Sequence, residues 1–181
     1  MKNNNTDLTI LLEQCATNNQ KAQLTLYNRY YKAMFNTAYR IIGDHELAED
    51  IMQESFLKAF KKLNTFSGKV DFGAWLKKIV INTSINELKK SNKYQMESLS
   101  DSIEIEDLNT EDTINYNALK AEQVLHSIQS LKSNYKIILT LFFIEGYDLE
   151  EITSILSISN ENCRTMLSRA KESLRKKINE L

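Results

Sequence analysis

The residues with the most chemistry to offer are the cations near the end of the chain. Between Arg164 and Lys177 there are six basic residues and one acidic residue, Glu172. Such a density of positive charge neutralises phosphates, the sequence-independent part of nucleic-acid affinity. A guanidinium can also pair with a guanine edge in the major groove, which adds sequence preference to that affinity. Catalytic and metal-binding material is sparse by contrast. His45 and His126 are the only histidines, and neither stands in a triad or metal-ligand spacing. Cys15 and Cys163 lie far apart with no CxxC, and the chain has neither a phosphate-binding P-loop nor a dinucleotide-binding glycine motif. No cofactor and no metal site is expected, and a binding protein is favoured over an enzyme.

Those cations belong to Leu149–Lys177, LEEITSILSISNENCRTMLSRAKESLRKK. Its apolar residues Ile152, Leu156, Ile158, Cys163 and Met166 fit a short helix, a tight turn around Leu156–Ser159 and a longer second helix. In a helix-turn-helix these positions hold the two helices together, and the second enters the major groove with its N-terminal half. Ser159 can cap that helix by accepting an orphan backbone N–H. At about 100° per residue, Cys163, Met166, Leu167, Ala170, Leu174 and Ile178 form a packing stripe. Arg164, Lys171 and Arg175 flank it on one side, Arg169 and Lys176 on the other. Cys163 therefore reads as a small buried hydrophobe. An αα-hairpin with a solvated basic helix fits the same pattern, and two positions weaken the motif. The fifth position holds Thr153 where a small residue is usual, and the turn position often filled by Gly holds Ser157.

The rest of the chain must position these groups. With no Pro and four Gly in 181 residues, long helical patterns run almost unbroken, and no alternating strand pattern appears. An all-α protein of two small helical domains follows, the second a helix-turn-helix domain. The formal net charge of −1 conceals a strong segregation. From Lys58 to Lys93 nine Lys face only Asp71 and Glu87, and from Tyr94 to Asn115 seven acidic residues face no basic one. The chain is thus basic, acidic, basic. The expected organisation is a first domain over 1–93, an acidic flexible linker over 94–115 and a second domain over 116–181. The linker lacks helical periodicity and is poor in apolar residues, so extension is its default. No signal peptide and no membrane-spanning run is present, which places the protein in the cytoplasm without membrane insertion.

Taken in order, Asp7 is expected to cap a helix over Leu8–Thr17. A second helix over Gln20–Ile42 places Leu24, Tyr27, Tyr31, Met34, Phe35, Ala38, Ile41 and Ile42 on one face, with Gly43 as its C-cap. Asp44 caps a third helix to about Leu63. Its apolar face is Leu47, Ile51, Met52, Phe56, Ala59, Phe60 and Leu63, and its other face carries Asp50, Gln53, Glu54 and Leu57. Asn64–Val70 reads as a loop centred on Phe66. Asp71 caps a fourth helix to about Lys90, with Phe72, Trp75, Leu76, Ile79, Val80 and Thr83 as core. Lys78, Asn82 and Lys89 form a polar strip, and Ile81, Ile85 and Leu88 a second apolar strip, so this helix should be covered on two sides. Beyond the linker, Tyr116–Leu131 and Tyr135–Gly146 give two helices. Leu119, Val124, Leu125, Ile128 and Leu131 are apolar in the first. Ile137, Ile138, Leu141, Phe142 and Ile144 are apolar in the second.

Two blocks then carry a family resemblance. AEDIMQESFLKAFKKLNTFSG, followed by DFGAWLKKIVINTSINELKK, resembles the second conserved region of sigma-70 family factors, most closely the small extracytoplasmic-function (ECF) type. The helix-turn-helix resembles that family's fourth region, in the order and at the distance expected. The resemblance spans roughly residues 7–93 and 116–179. It implies a protein that binds core RNA polymerase, directs it to promoter DNA and helps open the duplex. By resemblance Asp50, Gln53 and Glu54 fall on the surface that docks on the polymerase clamp helices, which also accounts for the carboxylates a hydrolytic enzyme would have used. Asn64–Phe72 corresponds to the loop that captures an unstacked −10 base, through Asn64, Thr65, Phe66 and Ser67. Phe66 serves equally well as a plug for the core beneath that loop.

Lys78, Asn82, Asn86 and Lys89 fall where family members meet −10 DNA. Arg164, Thr165, Ser168 and Arg169 fall on the −35 contact positions, with Lys171 and Arg175 further out along the backbone. Ile81 stands where Arg is frequent, Asn86 where Asp is frequent and Met166 where Arg is common. These departures leave the promoter sequence open. An anti-sigma factor is a further partner that the family admits. The competing reading is a one-component regulator with a ligand-sensing first domain, which has no reason to carry the DFGAWLKKIVIN block.

Overall fold

The structure, a computed structural model, describes residues 3–90 and 121–179, with side chains from Asp7 onward. All regular elements among the described residues are helical. The expected acidic linker, and the start of the helix placed at Tyr116, lie outside them. The chain divides into two compact units, Met1–Leu88 and Lys89–Leu181.

In the first unit, α1 spans Asn3–Ala16, α2 Gln20–Ile42, α3 His45–Lys61 and α4 Phe72–Lys90. Helix α1 starts earlier than its sequence suggests, so Asp7 lies inside it and caps nothing. Its carboxylate faces Arg29 of α2 at 3.9 Å instead. Asn19 caps α2 by accepting the N–H groups of Lys21 and Ala22 at 3.0 and 3.2 Å. Gly43, at φ 82°, closes it with an N–H to the Tyr39 carbonyl at 2.8 Å. Asp44 accepts the Leu47 N–H at 2.9 Å to start α3. Asp71 accepts the Gly73 N–H at 2.7 Å to start α4.

The core of this unit brings together Leu26, Met34 and Ala38 of α2, Ile51, Met52 and Phe56 of α3, and Phe72, Leu76 and Val80 of α4. Cys15 of α1 joins them. One expected core position is wrong: Leu24 is 60% exposed, whereas Leu26 is fully buried. Two residues apart on a helix point about 200° away from each other, so only one of these leucines can face inward. The inward line runs Ala22, Leu26, Met34, Thr37, Ala38 and Ile41. The second apolar strip of α4, Ile81, Ile85 and Leu88, is buried as well.

In the second unit, α5 spans Ala121–Gln129, α6 Ser133–Leu139, α7 Leu149–Leu156 and α8 Asn160–Asn179. Helix α8 packs on α5, α6 and α7 with the stripe the sequence indicates: Cys163, Met166, Leu167, Ala170, Leu174 and Ile178 are all buried. Facing residues include Ile137, Ile138, Ile152 and Leu156, each with at most 1% exposed. The single helix expected over Tyr135–Gly146 is instead α6 followed by a π turn, Thr140–Ile144. The wider turn leaves Phe142 half-buried and Phe143 exposed, while Leu139 is fully buried. It also encloses the Thr140 hydroxyl without a hydrogen-bond partner among the described residues. Leu125 is 40% exposed rather than core, and Ile128 takes that role. Both cysteines are free thiols, and burial raises the pKa of each.

Candidate nucleic-acid interface

The helix-turn-helix is held by caps at each of its corners. Asp148 accepts the Glu151 N–H at 2.8 Å while the Glu151 carboxylate accepts the Asp148 N–H at 3.0 Å. This reciprocal capping box satisfies two orphan donors of α7. Its signal in the sequence is the three-residue spacing of Asp148 and Glu151. Ser157 sits at φ 60° in the left-handed region, which explains why Gly is common there. Ser159 accepts the Asn162 N–H at 3.2 Å, as expected of the N-cap of α8. The Cys163 thiol lies 3.9 Å from the Leu149 carbonyl and ties the first turn of α8 to that of α7.

Seated this way, α8 presents Arg164, Thr165, Ser168 and Arg175 exposed, with Arg169 and Lys171 half-buried. Arg164 lies in a shallow groove with Asp148, Glu150 and Asn160. Lys171 is not simply solvated. Its ammonium sits 4.6 Å from the Phe142 ring centre and 5.6 Å from that of Phe143, within cation–π range. Lys176 is held by Glu172 at 2.8 Å. The hydrogen bond from Lys176, and then its charge, lower the Glu172 pKa.

In the first unit, Asp50, Gln53 and Glu54 are exposed on α3 beside Leu57, itself 61% exposed. Gln53 donates to Glu49 at 3.3 Å, and Glu54 pairs with Lys58 at 2.9 Å. Lys58 also donates to the Thr83 hydroxyl at 3.3 Å, joining α3 to α4. Lys78, Asn82, Asn86 and Lys89 all come to the surface of α4, within an arc of about 80°.

The loop between α3 and α4 opens with a 3-10 turn, Leu63–Thr65. Asn64, Thr65 and Ser67 are exposed, and Phe66 is half-buried. The Phe66 ring lies 5.5 Å from Phe72, edge-on, and 5.4 Å from Trp75. Phe66 is therefore anchored to the core while part of it still faces out. Gly68 turns at φ 70° with open space around it, so conformation rather than room calls for glycine there. Helix α1 supplies an opposite wall that the sequence did not reveal. Thr9, Leu12, Glu13 and Ala16 share a groove with Leu63, Phe66, Ser67 and Gly68. The only signal was their i, i+3, i+4, i+7 spacing, which reads as ordinary packing.

Two family models match the chain: Sigma-70 region 2 over residues 26–94 and Sigma-70, region 4 over residues 121–174. Together they account for more than half of it, and the chain belongs to the sigma-70 family of RNA polymerase sigma factors, in its ECF type. The ECF RNA polymerase sigma-E factor of Escherichia coli (strain K12) is 28% identical over 181 residues, covering 95% of this chain and 94% of the relative. The ECF RNA polymerase sigma factor SigW of Bacillus subtilis (strain 168) is 27% identical over 186 residues, covering 94% and 96%. Two solved structures share the fold. The sigma factor RpoE of Bartonella quintana, in complex with the anti-sigma factor NepR, gives a TM-score of 0.57 at 21% identity over 86% of this chain and 95% of that one. CnrH, in complex with the cytosolic domain of CnrY, gives 0.55 at 21% over 94% and 96%.

The protein is thus a sigma factor, one that binds core RNA polymerase and directs promoter-specific initiation. The region 2 match lies where a ligand-sensing domain would have to be, and the one-component regulator is not favoured. The family is not one of enzymes.

Proposed function

We propose that the first domain, residues 1–93, docks on the clamp helices of core RNA polymerase through Asp50, Gln53 and Glu54. The same domain engages −10 DNA through Asn64, Thr65, Phe66 and Ser67 of the loop and the strip of Lys78, Asn82, Asn86 and Lys89. The second domain, 116–181, reads −35 DNA through Arg164, Thr165, Ser168 and Arg169, with Lys171 and Arg175 along the backbone. Residues 94–115 are the acidic link between them. The observation that carries the docking assignment is the outer face of α3, where a helix otherwise devoted to the core exposes a carboxylate, an amide and Leu57 together. Such a face serves a partner better than it serves the fold.

In this reading the protein acts in the cytoplasm, beside the polymerase, and does no chemistry of its own. Among the described residues no helix is long and apolar enough to cross a membrane. The complex of RpoE with NepR supports an anti-sigma factor as a further partner. The test is direct. Asp50→Ala combined with Gln53→Ala should weaken binding to purified core polymerase and leave the helical circular dichroism unchanged. Undiminished affinity in the folded double variant would overturn the docking assignment.

A further inference from the structure

Lys171, in the −35 reading a contact to the DNA backbone, and Lys176 are anchored in different ways on the same helix. Lys176 is paired with the Glu172 carboxylate at 2.8 Å, so its charge is already compensated. Lys171 has no carboxylate partner among the described residues. Its ammonium lies 4.6 Å from the centre of the Phe142 ring and 5.6 Å from that of Phe143, and the two rings meet edge-on at 5.1 Å. The π turn carries both rings, and the Glu145 N–H closes it on the Thr140 carbonyl at 3.0 Å. The fold keeps this turn although the buried Thr140 hydroxyl has no partner among the described residues, which lowers stability. Such turns are frequent at functional positions. Phe142 also lines the groove that holds Arg164, which precedes Lys171 by two turns on the same side of α8.

Resting on that reading of Lys171, we propose that Phe142, with Phe143 beside it, is a positioning residue for −35 binding. The ring pair holds the Lys171 ammonium in place without neutralising it, ready for a backbone phosphate. A ring face attracts a cation through its quadrupole and carries no net charge of its own. An ammonium has three donors, and those turned away from the rings stay available to phosphate oxygens. A lysine stem free in solvent must give up rotamer freedom when it is fixed against DNA. Here the fold has removed part of that freedom beforehand, so less is lost on binding. The contact adds affinity and register but reads no base, as phosphate contacts do.

The experiment is a double-mutant cycle on the full chain assembled with core polymerase, read as affinity for a promoter fragment at several salt concentrations. Lys171→Met keeps the stem, removes the charge and should lower the salt slope by roughly one. Phe142→Leu keeps apolar bulk but removes the ring. It should weaken binding roughly threefold, the size of an exposed cation–π contact, and do so alike for every −35 sequence. In the Lys171→Met background Phe142→Leu should have no further effect, and Phe142→Tyr, which retains the ring, should bind as the natural protein does. An equal loss from Phe142→Leu in both backgrounds overturns the positioning role, as does no loss in the natural background. An unchanged salt slope in Lys171→Met overturns instead the backbone reading of Lys171, and the proposal with it. Phe143→Leu, at a position 51% exposed, is carried through the same cycle in case Phe142→Leu fails to fold. A loss there that persists without the Lys171 charge overturns the role of the ring pair.

Discussion

Arg164 and Arg175 are both exposed on α8, yet their places along the helix predict different roles. In the proposed −35 reading Arg164 stands in the N-terminal turns that would enter the groove, and Arg175 lies about 16 Å further along at 1.5 Å per residue. Arg164→Ala should cost about 1–3 kcal/mol of promoter binding and relax preference at one −35 position. Arg175→Ala should weaken binding to all sequences alike and reduce the salt slope by roughly one. Holoenzyme titrations against a −35 variant panel at several salt concentrations would separate the two, and an identical sequence-blind loss in both would contradict direct readout by Arg164. Lys176 would be a poor choice for the phosphate arm, because Glu172 already holds it. That pair was legible, being four residues apart on one helix. The contact of Lys171 with Phe142 and Phe143 was not, since no local pattern links residues so far apart in the chain.

At the scale of elements, the caps and the stripe of α8 could be read because they depend on neighbours three or four residues away. Asp44, Asp71 and Ser159 act on the turn that immediately follows each of them. The inward face of α2 was misread at one end, where Leu24 and Leu26 satisfy an apolar pattern equally well and only the packed partner decides. The consequence is measurable. Leu26→Ala should lose about 2–5 kcal/mol of stability through the cavity it leaves, while Leu24→Ala should stay within about 0.5 kcal/mol. Equal losses on urea unfolding would mean that α2 packs in another register. The π turn escaped notice for a related reason: an apolar run does not announce one extra residue per turn. The groove between α1 and the loop was hidden altogether, since its walls come from residues some fifty positions apart.

For the whole molecule, a net charge of −1 says little, because the cations gather in 58–93 and 164–177 and seven of the acids in 94–115. A second asymmetry has a practical use. Trp75 is the sole tryptophan of the chain, and it lies against Phe66 and Phe72 in the first unit. Its emission therefore sees that unit and is blind to the other, whereas circular dichroism at 222 nm weighs the helices of both. Urea unfolding followed by the two signals should give midpoints that do not coincide, and superimposable curves would show instead that the units melt as one cooperative body. The same indole is an optical gauge of the loop. Under the proposed −10 role of the loop, a base settling beside Phe66 would alter the surroundings of Trp75, and its emission would register that event with no label attached.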